Sequence, residues 1–599
     1  MKVFKNWFVF GLATIAFLAP LKFGTPVMLQ SNLVPPLNLL EWLFYTWPNE
    51  LAVILVFAGF VWLVLDPQRM LARVDLLFVL PLMFLLTQAL AAPTSICHQT
   101  TIDTLLLFAA CALLFYVGAW SVRDGAATAQ IFGGLALASL LVCLLALEQH
   151  FGGLEQSRQQ AAIYLDPSKV PKDFLSRMTS NRVFASFVYP NALAGFLVVA
   201  FAPVLVWIWV RARGWDTRVR GVVLLFAAGV MLYCLLLTGS RGGFIAFVAM
   251  ALTAAWCGIQ QTSRQAAVSV LAVLLVFAAV FGVAERRGLL HLGVQSLEAR
   301  TDYWRGAIAI ARDHPWVGTG PGTFGSIYPK YKTAHTEEAQ TVHNSYLQMW
   351  SDSGIPAFIA FALLWIVALR DAFRLTRRRK GDAAAIAICG ALVGWAVHGL
   401  VDFDLYVPGV ALPVFIMLGS VQGLKELPRT DIVTPRRRAN WLVGAACAVM
   451  LLAVLWVEGR ALAASFAFAR AQELRRVNPL GAVAEAERAT RLASWNSRLQ
   501  SGLGELAMRA GESDLALDAY HEAITDDPYR SSCWWHLAEA RKAVHGIDTE
   551  TVEALRKAVE LNPTEMTYSN ALVAAEKSVR QASHGLLESD PTKESGSTP

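Results

Sequence analysis

Apolar blocks of about 17–20 residues recur along this chain from its first residues to residue 457, and nothing else in the sequence limits the fold as strongly. At 1.5 Å per residue such a block crosses the hydrocarbon core of a bilayer, where helices and closed barrels are the structures that satisfy their own backbone hydrogen bonds. Composition agrees. Of 599 residues, 55% are hydrophobic and 16% charged, and the mean hydropathy is +0.46, too apolar for a water-soluble chain of this size. Thirteen candidate spans fall near 6–22, 49–66, 75–92, 104–121, 129–148, 191–210, 221–238, 242–259, 266–284, 354–370, 383–402, 407–424 and 440–457. The expected fold is all-α: a polytopic transmembrane helical bundle of about 12–13 spans over residues 1–457, then a soluble helical domain over 458–578.

Orientation follows from Lys and Arg in the connections. "RARGWDTRVR" (211–220), "RDAFRLTRRRK" (370–380) and "KELPRTDIVTPRRR" (425–438) hold four, six and five basic residues and fall on one side, the expected cytoplasm. An odd number of spans then puts the amino terminus inside and the C-terminal domain outside. The opening "MKVFKNWFVFGLATIAFLAP" is read as a retained span, although it has the pattern of a signal peptide too; cleavage would leave the sidedness of the rest unchanged. Two long connections, 149–190 and 285–353, lie outside, and the second carries Arg286, Arg287, Arg300, Arg305, Arg312, Lys330 and Lys332. Positive charge on the translocated side opposes the usual bias, which suggests a function for some of it.

The eight cysteines show no metal or redox spacing. Cys97 and Cys533 would both face an oxidising compartment, but the pattern does not favour a disulfide between them. Residues 463–576 have a self-similar helical period. Leu503, Gly504, Ala516, Tyr520, Ala523 and Pro528 take the spacing of a tetratricopeptide repeat, and Ala489, Ala523 and Ala558 keep the register. Such arrays present a surface to a protein partner; a lid or brace on the membrane domain is an equal reading. Residues 579–599 have the composition of a disordered tail.

Four polar groups gather at the expected outer face. His343 and Asn344 stand ahead of the tenth span, with Gly354 and Pro356 at its break. "TGSRGG" (238–243) sets Arg241 at the first turn of a helix, where the macrodipole disfavours a cation and an anion resolves the conflict. "LEARTDYWRGAIAIARDHPWVGTGPGTFGSIYPKY" (297–331) holds Arg300 and Arg305 on a short amphipathic helix expected to lie along the membrane surface. "GTGPGTFG" is read there as a flexible loop, and Trp304, Trp316, Tyr328 and Tyr331 as rings that stack on sugars or belong to an interfacial belt. Arg182 and Asn191 lead into the sixth span, and His398, Asp402 and Asp404 close the eleventh, the acidic pair being read as capping or pairing locally.

The "HN", nine-residue, Gly354 pattern, the "SRGG" between spans and the "R…W…P…GTGPGTF" order in a large outer loop resemble the O-antigen ligase and O-antigen polymerase superfamily of bacterial envelope glycosyltransferases over roughly residues 180–420. The sequence departs from it at Ala357, where a further Gly, Thr or Tyr is common, and in its C-terminal repeats. The resemblance implies transfer of a glycan from undecaprenyl pyrophosphate to a hydroxyl acceptor (lipid, glycan or protein), with no cofactor, no metal site and no nucleic-acid partner. On that basis His343, Arg241 and Arg300 are the expected catalytic residues, and Arg305, Arg182, Asn344, Asn191 and Trp304 the expected substrate-binding ones. A protein O-oligosaccharyltransferase is a further reading within the superfamily; a transporter or a repeat-bearing scaffold are the readings outside it.

Overall fold

The computed structural model describes residues 2–29, 46–64, 74–155, 181–259, 295–334, 336, 338–425 and 437–588, and every regular element among them is helical. Nineteen helices carry the argument. The membrane part holds α1 (Lys2–Lys22), α2 (Asn49–Val64), α3 (Leu76–Ala91), α4 (His98–Ser121), α5 (Gly125–Glu148), α6 (Pro190–Arg211), α7 (Thr217–Leu237) and α8 (Arg241–Ile259). The outer loop contributes α9 (Gln295–Asp313), after which come α10 (Ser345–Arg378), α11 (Ala383–His398) and α12 (Pro408–Gly423). The remainder is α13 (Arg437–Leu474), α14 (Pro479–Leu492), α15 (Ser497–Ala510), α16 (Ser513–Asp526), α17 (Ser531–His545), α18 (Thr549–Leu561) and α19 (Met566–Glu588).

Among the described residues, eight helices are long and apolar enough to cross a membrane and four shorter ones are apolar. Twelve of the thirteen expected spans therefore coincide with apolar helices; the other, 266–284, lies outside the described residues. α1 lies within the bundle against α5 and α12. α4 and α12 approach until backbones touch: a Cβ added at Gly419 would stand 2.2 Å from the Phe115 carbonyl oxygen. Small residues at a crossing do this work in a membrane, where lipid is as apolar as any side chain and close packing drives association. On the basic face Lys425 joins α3 to α10 through Asp75, at 2.9 Å, and Asp371, at 2.5 Å.

α10 is two helical segments meeting at Gly354, whose φ of 77° and ψ of −177° are outside helical geometry. The cause is the outer loop. Ile355 N donates to Pro315 O at 2.9 Å, and Gly320 N to Asp352 O at 2.8 Å. The Asp352 carboxylate also accepts from Gly322 N, at 3.1 Å. "GTGPGTFG", expected to be flexible, is instead fitted around the kink.

α9 forms as expected, but its apolar stripe is not left for lipid. Tyr303, Ala307 and Ile310 are buried against Phe324, Ile327, Tyr328 and Val342 of the same loop. A 3.6-residue stripe shows that one face will be covered and is silent about what covers it.

The C-terminal helices α13 to α19 each pack on their sequence neighbours. Ala489, Ala523 and Ala558 are each fully buried, as small residues between closely paired helices must be. α19 runs to Glu588, past the expected start of the tail. Cys97 and Cys533 are free and buried. The array rests on the outer loop, with Ser326 Oγ donating to Asp527, at 3.3 Å, and Asn562 Nδ2 to Glu338, at 2.8 Å. Loop and array therefore share one face of the bundle.

A Cβ at Gly354 would lie 2.2 Å from the Trp316 carbonyl oxygen, whereas Gly381, also at φ 77°, has open space around it. Gly381→Ala is expected to cost only the left-handed backbone penalty of about 1–2 kcal/mol. Gly354→Ala must also displace the loop, so its melting temperature in detergent will fall further than that of Gly381→Ala.

Candidate functional site

His343 is one of two non-glycine residues with positive φ among the described residues, at 52°. The cause lies one residue on. Asn344 is the N-cap of α10, its Oδ1 accepting from Tyr346 N and Leu347 N at 3.0 Å each, and the turn into that cap swings His343 off the helix. A non-glycine side chain in this region is held there by its surroundings. The imidazole is stacked on Tyr303 with centroids 5.8 Å apart, and meets Phe403 edge-on at 4.8 Å.

Asp402 is the centre of the group. Its Oδ1 lies 3.7 Å from His343 Nδ1 and its Oδ2 3.9 Å from Arg300 Nη2. Asp402 is 1% exposed, while Arg300 and His343 keep 17% and 22%, so the anion is sealed and its two partners face outward. The same residue fixes the start of α10, since its carbonyl accepts from Ser345 Oγ at 3.0 Å. Burial pushes the Asp402 carboxyl up, but the nearby charges of His343, His398 and Arg300 hold it well below the usual carboxylate range. Burial raises Asp404, two residues on, against the pull of His398. Asp404 pairs with His398 Nδ1 at 2.5 Å, in space left by Gly195 of α6. Asp402 is thus the member of the acidic pair that turns to the site, while Asp404 is taken up by His398.

Arg182 enters from the segment before α6. Its Nε donates to Thr238 O and its Nη2 to Asn191 Oδ1, both at 2.6 Å, tying that segment to the α7–α8 hairpin. Burial and the nearby Arg300 charge lower its guanidinium to about 10, against the pull of Asp402, so it remains a cation at neutral pH. Arg241 opens α8, and the adjoining Gly242 lies against His398 and Val401, with a Cβ there 3.5 Å from His398 Cδ2. His398 Nε2 is buried and has no hydrogen-bond partner among the described residues.

The expected residues therefore separate. His343 and Arg300 meet at Asp402, with Arg182 in electrostatic reach and Asn191 holding Arg182. Arg241 stands on the same hairpin that Arg182 ties down. Asn344 uses its side-chain oxygen as a cap. Arg305 is 67% exposed and pairs with Asp302 at 3.3 Å. Trp304 is half-buried, with an indole N–H that meets no acceptor among the described residues. Of the other rings, Tyr328 is fully buried and donates to Asp302 at 2.8 Å, while Trp316 stays 69% exposed.

Residues 226–362 match the family model for O-antigen ligase. The chain carries an O-antigen ligase domain. No curated protein matches the chain with significance. The family supports a ligase or polymerase type of function on cell-envelope glycans, exercised by a multi-pass membrane protein. The matched segment of the ligase domain contains Arg241, Arg300 and His343 and stops before Asp402, which the fold returns to it from the α11–α12 connection. Among the described residues no group of three or more His, Cys, Asp or Glu side chains is placed to hold a metal ion.

A depressed carboxyl contributes stability that is complete above its unfolded value, near 3.9, and is lost as the pH falls through the lower folded value. Asp402→Asn is therefore expected to melt below the parent at pH 7. The gap will narrow progressively as the pH is taken below about 4, in thermal unfolding series of both proteins.

Proposed function

We propose that this protein transfers or polymerises an undecaprenyl-pyrophosphate-linked glycan onto a hydroxyl acceptor at the periplasmic face of the bacterial inner membrane. The observation that carries the reading is the His343–Asp402–Arg300 group, in which one buried carboxylate faces an imidazole and a guanidinium that are both partly open to solvent.

The chemistry divides between these residues. Asp402 faces Nδ1 of His343, which leaves Nε2 for the acceptor hydroxyl, the same division of labour by which a buried carboxylate orients a catalytic imidazole elsewhere. As the acceptor oxygen bonds to the anomeric carbon of the donor sugar, its proton passes to Nε2. The bond from that carbon to the pyrophosphate oxygen breaks, and the lipid pyrophosphate leaves with the electron pair. Charge that grows on the leaving group needs fixed cations, and Arg300, Arg241 and Arg182 are the cations nearest to hand. Trp304, half-buried beside them, offers a ring face to the sugar.

The test is a transfer assay with purified protein, a lipid-pyrophosphate-linked oligosaccharide and a panel of hydroxyl acceptors. His343→Ala should lower turnover by about 10²–10⁴-fold, the usual yield of a general base. Arg300→Ala and Arg241→Ala should each lower it by about 10²–10³-fold. Turnover should survive a chelator of divalent metals. Equal transfer by parent and variants would overturn the assignment.

A further inference from the structure

The C-terminal array and the outer loop enclose a second space that the chemistry above does not use. It is a cavity of about 440 Å³ between alternate helices of the array (α13, α15, α17 and α19) and the loop segment from Gly325 to Gln340. We propose that this chamber binds a neutral saccharide of one or two residues, part of the glycan under assembly, and so anchors it beside the reacting centre.

Three observations point to that class of ligand. The first is size. The volume falls within the ~300–1,000 Å³ of small-molecule sites, and the loop closes one side, so a compact ligand fits and a long extended chain does not. The second is the balance of its walls. Arg498, Arg530, Glu338 and Glu505 all line the space. Arg530 is already paired with Asp527 at 3.3 Å, and Glu338 with Asn562 at 2.8 Å. Arg498 has no side-chain hydrogen bond or close ion pair among the described residues; Asp103 and Asp527 act on its charge from a distance, and Arg530 opposes it. A lining that holds two cations and two anions suits hydroxyls, each of which donates and accepts, better than a ligand of single sign. Serine hydroxyls at 501, 531 and 532 extend the pattern. The third is a pair of rings. Phe468 and Tyr568 border the same space, Tyr568 being set by stacking on Trp535 at 5.1 Å, and aromatic faces cover the apolar face of a sugar.

A peptide is the less favoured occupant. Extended peptides are captured through an exposed strand edge or an apolar groove, and these walls are polar helix surfaces with their backbones already hydrogen-bonded. The position suits a glycan anchor. Gln340 lines the chamber, and only two residues stand between it and His343, a reach of at most about 11 Å. Only the role of the bound sugar rests on the proposed transfer reaction; binding itself is measured without turnover.

The experiment presents the purified full-length protein in detergent to an immobilised array of neutral oligosaccharides of one to four residues, with acidic oligosaccharides and unstructured peptides alongside. At least one neutral oligosaccharide should bind. Ser501→Trp, which fills the chamber, and Arg498→Gln, which removes its unmatched cation, should each weaken that binding about tenfold or more. His343→Ala should bind as the parent does, which separates this site from the transfer chemistry. Thermal melting checks that each variant is folded, and if Ser501→Trp is not, Arg498→Gln adds no bulk and decides the matter. Absence of binding to any neutral sugar, binding that both folded variants retain, or preference for peptides or acidic sugars alone would overturn the proposal.

Discussion

A single buried carboxylate holds the outer face of this protein together. Asp402 sits in the connection between two apolar helices and is almost fully sealed, yet it faces an arginine from α9 and a histidine from the entrance to α10. Removing a charge from water is costly unless opposite charge and hydrogen bonds meet it there. The loop that brings Arg300 and His343 is therefore drawn onto the bundle by the demand of that anion. The residues of the candidate site are brought together by the same interaction that positions the loop.

Much of the architecture was legible because lipid imposes a length. The apolar blocks were readable one by one, and the described helices follow them. Basic connections supplied an orientation, and the contacts of Ser326 with Asp527 and of Glu338 with Asn562 agree in placing loop and array on one side. The amphipathic stripe of α9 was legible as a stripe. Its partner was not, because Phe324, Ile327 and Val342 become its cover only once the glycine-rich segment has folded back. That segment looked flexible for the same reason. Glycine content reports freedom in the unfolded chain, while the hydrogen bonds to Asp352 that fix it come from a residue about 30 positions away in sequence.

Of the candidate site, Arg300 and His343 were singled out in the sequence, and the fold brings those two together. Asp402 was harder to place. Two aspartates flanking one phenylalanine suggest local pairing, and Asp404 does pair locally with His398. Nothing in the spacing says that the other turns across to residues some 60 and 100 positions earlier. The one available signal was the excess of arginine on the translocated side, which requires anionic company from somewhere in the fold.

The kink at Gly354 has a mechanical consequence. Since Pro315 and Trp316 clasp α10 at the point where it leaves the helical path, the segment bearing Arg300 takes its bearing from a rod embedded in the bilayer. Its direction relative to that helix is set by the clasp. Whatever reaches Arg300 would meet a fixed gantry, its direction settled in advance by the clasped helix.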